Sequence, residues 1–148
     1  MCREHYTLVL RSSKRKYGTT TDYHIDCGEF FQNFNGRYLN GQLVSWLFPD
    51  DTTDNTNTAD LSLQVKADLQ LPYQTDTDNR GLNTIAVLPN NAGADNCIFT
   101  TVPAHQFTCI IPNGNMLHIR IENASSEALG EDIEEHVLVL EFSPVSQN

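Results

Sequence analysis

Leu61-Ser-Leu-Gln-Val-Lys-Ala-Asp-Leu-Gln-Leu71 is the stretch whose reading decides the fold class. Leu61, Leu63, Val65, Ala67, Leu69 and Leu71 fall on one side of an extended chain. Ser62, Gln64, Lys66, Asp68 and Gln70 fall on the other. A helix would scatter these leucines around its circumference, whereas a strand gathers them on one face. The stretch therefore predicts a long strand with one buried and one wet face, as in an antiparallel sheet.

The same period extends outward in both directions. Toward the N-terminus, a polar loop, Asp50 to Thr58, follows Pro49, and before it Gln42 to Phe48 is strongly β-prone. Residues 37–48 read as an extended segment broken or bulged near Asn40-Gly41. Tyr6 to Leu10 alternates, Lys16 to Thr20 is turn-like, and Tyr23 to Cys27 is a second short strand. Residues 28–36 hold Phe30, Phe31 and Phe34 without a clear period, which fits a helical turn or an irregular loop. Toward the C-terminus, strands are expected at 84–88, 97–102, 106–111, 117–121 and 136–142, separated by Pro, Gly, Asn and Asp clusters. Residues 123–135 form a polar, acidic connection.

Many short strands with such turns mean a sandwich or a barrel. Long, uneven connections favour two packed sheets over an up-and-down barrel. The expectation is an all-β fold, a two-sheet antiparallel β-sandwich: a single jelly roll of about eight strands forming one domain over residues 1–148. Leu61, Leu63, Val65, Leu69, Leu117, Ile119, Ile121, Leu138 and Leu140 should share one core, and Trp46, inside an apolar run, should join it.

Composition narrows function. A 148-residue chain with 39% hydrophobic residues can bury a core without a staple. Its longest aliphatic run, Val137 to Leu140, is far short of a membrane span, and residues 6–10 are too short for a signal-peptide core. A soluble chain made in the cytosol is expected. Residues 38–148 carry fifteen acids and three bases, a charge of −12, which the +2 of residues 1–37 brings to the net −10. That body repels phosphates, so direct nucleic-acid binding by it is not expected. The one basic cluster is Arg11, Lys14, Arg15 and Lys16, either a solvated loop or a contact for a phosphate or an acidic partner.

No motif carries chemistry. His5, His24, His105, His118 and His136 form no HxH, HxxxH or HExxH pattern, although His118 and His136 could meet across the last hairpin. No nucleophile elbow or glycine-rich phosphate loop is present. The Asp50, Asp51, Asp54 and Asp60 loop lacks the regular spacing of a calcium site. Cys2, Cys27, Cys97 and Cys109 form no CxxC pair and read as four free thiols. No catalytic residue, metal or cofactor is expected, and the protein reads as a non-enzyme.

Three stretches carry a resemblance: residues 8–26, with Leu8-Val-Leu-Arg-Ser-Ser-Lys-Arg15 and Thr21-Asp-Tyr-His-Ile-Asp26; residues 73–89, ending in Ile85-Ala-Val-Leu-Pro89; and Ile110 to Asn123 with Val137 to Phe142. Together they resemble the single jelly-roll penton and minor capsid proteins of eukaryotic double-stranded DNA viruses of the giant-virus and virophage lineages. The resemblance implies a structural virion protein made in the host cytoplasm. Its partners would be other capsid proteins and copies of itself, as a pentamer at a vertex or a monomer wedged among larger subunits. Under that reading Arg11, Lys14, Arg15 and Lys16 are the partner contact. A carbohydrate-binding or fibre-type attachment module is the alternative, and a cupin-like enzyme a more distant one.

Overall fold

A computed structural model describes residues 5–47, 62–77, 82–89, 106–123 and 135–145. Among these, nine strands run in chain order: β1 (Tyr6–Arg11), β2 (Tyr17–Gly18), β3 (Asp22–Asp26), β4 (Tyr38–Leu47), β5 (Ser62–Ala67), β6 (Asn83–Pro89), β7 (Gln106–Ile110), β8 (Met116–Asn123) and β9 (Val137–Pro144). A 3-10 turn, Ser12–Lys14, follows β1, and one helix, α1 (Gly28–Phe34), precedes β4. The expected strand at 97–102 and most of the acidic connection at 123–135 lie outside the described residues.

The strands form two antiparallel sheets, in the orders β1-β9-β4-β7 and β2-β3-β8-β5-β6. Apart from the two-residue β2, they pair as nested hairpins: β1 with β9, β3 with β8, β4 with β7, and β5 with β6. The β4–β9 and β5–β8 ladders then join these pairs within each sheet. A four-pair hairpin rolled in this way is a jelly roll, as expected. The inward faces share one core, containing Val65, Leu69, Leu117, Ile119, Ile121, Leu138, Leu140 and Trp46. The side chains of Leu61 and Leu63, also expected there, lie outside the description.

Three local readings change, and a fourth, left open by the sequence, resolves. Asn40-Gly41 does not break β4, which runs unbroken through it; its bulge lies between Leu43 and Ser45. Gly41 sits between Phe107 on β7 and Phe142 on β9, whose rings fold over it. A Cβ there would lie 2.6 Å from the Phe107 ring, so the glycine makes room for aromatics rather than for a turn. Next, β5 stops at Ala67 instead of running to Leu71. Asp68 takes the amide of His118 on its carboxylate at 3.1 Å, and the chain then crosses so that Gln70 bonds the outer edge of β7 at Ile110. Leu69 and Leu71 remain buried, so the alternation outlasts the strand and seals an edge.

The third change is at Lys66. The sequence assigns it to the wet face, but only 1% of it is exposed, and its ammonium lies 3.2 Å from the equally buried Glu122 carboxylate. Last, of the helical turn and the irregular loop left open for residues 28–36, the phenylalanine cluster takes the helix, α1. Asp26 accepts the Gly28 amide at 2.9 Å at its start, and Gly36, at φ 72°, follows its end. Phe30 packs on Phe142 and Tyr6, with ring centroids 4.7 and 5.2 Å apart, which covers the core beside β1 and β9.

Candidate protein-binding face

The outer side of the four-stranded sheet is assembled by register. Leu8, Leu10, Leu138 and Leu140 point inward, so Val9, Arg11, Val137 and Val139 point outward. Val9 pairs with Val139, and Arg11 with Val137. A monomer's outer strand face is normally polar, yet here valines from two strands meet in one strip, with Val9 44% exposed.

The predicted contact residues divide. Arg11 lies on this face beside Val137, and Arg11, Lys14 and Lys16 are exposed. Arg15 is committed elsewhere. Its guanidinium donates to the Ser12 carbonyl at 2.8 Å, the Gly18 carbonyl at 3.2 Å and the Glu135 carboxylate at 2.7 Å. Ser12 is buried, and its hydroxyl donates to Glu135 while accepting the His136 amide at 2.8 Å. The basic loop is thus clamped to the start of β9. Burial raises the Glu135 pKa, but the hydrogen bonds from Ser12 and Arg15 and the charges of Arg15 and His136 outweigh it and hold the carboxyl below its ordinary value.

The histidines do not pair as the sequence suggested. His136 is buried against Tyr23, whose hydroxyl lies 3.3 Å from its Nε2, and meets the Trp46 ring at close to a right angle. His118 instead stacks on His24 at 4.0 Å, and His24 on Tyr17 at 4.4 Å, across the outer side of the five-stranded sheet. His118 Nε2 lies 2.6 Å from Asp22. Burial and the neighbouring His118 push the His24 pKa down. Ring nitrogens hold their lone pairs in the ring plane, so two parallel stacked rings do not converge on one ion. Among the described residues, no three His, Cys, Asp or Glu side chains are placed to hold a metal. The period-two pattern puts His24 and His118 on outward positions, but only the β3–β8 register brings them together.

Cys27 and Cys109 are free and buried, and burial pushes both thiols up to about 12. Cys2, Cys97 and the aspartate loop at 50–60 lie outside the described residues. Among the described residues, no helix is long and apolar enough to cross a membrane. Compared with known proteins, the chain matches no family model and no curated protein.

Proposed function

We propose that the protein is a structural subunit of a virus shell, a penton or minor capsid protein that assembles through the outer face of its four-stranded sheet. The observation that carries this reading is the outward strip of Val9, Val137 and Val139 beside Arg11. An apolar strip next to a cation is suited to a protein surface that is apolar at its centre and acidic at its rim. The jelly-roll strand order and the resemblance in residues 8–26, 73–89, 110–123 and 137–142 support a shell over other assemblies. Copies meeting head to tail close into a ring when the rotation allows it, five at a vertex. Other capsid proteins and copies of this chain are the partners, and the acidic body keeps nucleic acid away.

Native mass spectrometry and electron microscopy of the full chain, with incorporation into particles as a second readout, test the proposal. The parent should form a closed ring or enter particles. Val9→Glu and Val139→Glu should abolish both while leaving the melting temperature unchanged. A parent that does neither, or variants that assemble as well as the parent, would refute it.

A further inference from the structure

The other half of the same sheet face is polar, and a groove of about 800 Å³ opens over it. One row across the sheet runs Thr7, Glu141, Gln42, Gln106; the next runs Ser143, Asn40, Thr108. The Gln106 amide donates to the Gln42 side-chain oxygen at 3.0 Å, and the Thr108 hydroxyl to the Asn40 oxygen at 2.8 Å. These bonds fix the amides and leave the Asn40 and Gln42 NH2 groups to an incoming acceptor. Tyr73, Gln74 and Thr75, from the connection after β5, also line the groove. The Gln74 amide is anchored to the Thr84 carbonyl at 2.7 Å, which ties that connection to β6. Tyr73 is 81% exposed, a large ring left in water beside an array of amides and hydroxyls.

We propose that this groove binds a neutral oligosaccharide. Fixed amides offer a donor and an acceptor side by side, which matches the vicinal hydroxyls of a sugar. An exposed tyrosine ring offers an apolar face with a polar tip for the C–H side of a pyranose. The volume falls within the range of small-ligand sites. Among the described residues no Lys or Arg lines the groove, and Glu141 does, so phosphates, sulfated sugars and nucleic acid are disfavoured. Outside Tyr73, Gly41, Phe107 and Phe142 the described lining is polar, which disfavours lipid. The site does not depend on the shell reading, because it uses different rows of the sheet.

Saturation-transfer NMR observes the sugar and works whether the protein is a monomer or a ring. The probes are cellohexaose, maltohexaose, mannohexaose and hexa-N-acetylchitohexaose at about 5 mM, which reports millimolar affinities, with a heparin hexasaccharide as the anionic control. Transfer to ring protons of at least one neutral sugar is expected, with none to heparin. Tyr73→Ala should weaken that binding roughly 3- to 10-fold, and Gln42→Leu should remove it, with both variants melting like the parent. Absence of transfer to all four neutral sugars, or transfer that survives both substitutions, overturns the proposal.

Discussion

Replacing Lys66 by Met tests how the five-stranded sheet tolerates charge beneath its surface. The Lys66 ammonium and Glu122 carboxylate are 3.2 Å apart, and each is 1% exposed. At that distance and an effective dielectric constant of about 20, their attraction is about 5 kcal/mol. Removing both ions from water costs several kcal/mol apiece, so the pair contributes little net stability. Breaking it is another matter. Lys66→Met leaves the Glu122 carboxylate buried, with the Arg120 Nε at 3.7 Å as the nearest described cation. Loss of a partner from a buried pair costs about 3–5 kcal/mol, and the nearby Arg120 places this case at the lower end, about 3 kcal/mol. The double variant Lys66→Met/Glu122→Leu removes both charges and should return to within about 1 kcal/mol of the parent. Urea unfolding followed by Trp46 fluorescence measures all three proteins, because Trp46 is fully buried. A single variant that loses less than about 1 kcal/mol, or a double variant no more stable than the single, refutes the reasoning.

Three further outcomes follow from described contacts. Gly41→Ala forces a Cβ to 2.6 Å from the Phe107 ring and should destabilise by about 1–3 kcal/mol, or more if the ring cannot shift, read as a lower urea midpoint at constant slope. Glu135 has a depressed pKa, so its contribution is fully present above its unfolded value and is lost as pH falls through the folded one; Glu135→Gln should flatten that acid limb of the stability curve. Cys27 and Cys109 should resist an aromatic disulfide reagent at pH 8 in the native state and react at once in urea; fast native labelling of either would contradict their burial and raised thiol pKa values.

Fold class was legible because period-two alternation is a local signal. The Val65 stretch, Leu117 to Ile121 and Val137 to Phe142 all show it, and each forms a strand of the core. Features set by long-range register were not legible. Lys66 read as wet because alternation assigns a face and not what lies over it. Gly41 read as a break because its reason lies in two rings more than 60 residues further along the chain, Phe107 and Phe142. The Arg11 to Lys16 cluster was visible as charge, but Arg15's commitment to Glu135 spans 120 positions and left no mark in the local pattern. That pairing leaves Arg11, Lys14 and Lys16 as the members of the cluster open to a partner. Removing residues 1–16 would delete β1 with Leu8 and Leu10, so charge reversal at Arg11, Lys14 and Lys16 is the cleaner perturbation.

The nested pairing of strands sets an order of events during synthesis. β5 and β6 are neighbours in the chain and can join as soon as both leave the ribosome, whereas β1 waits for β9. Closing so distant a pair is slow, since the loop entropy is lost before the contact forms. The valine strip inherits that delay, because Val9 and Val139 become neighbours only in the finished sheet. A truncated or half-folded chain therefore lacks the complete strip. Under the shell reading, the wrap acts as a quality check: only a chain translated through β9 and correctly closed can present the surface by which copies recognise each other.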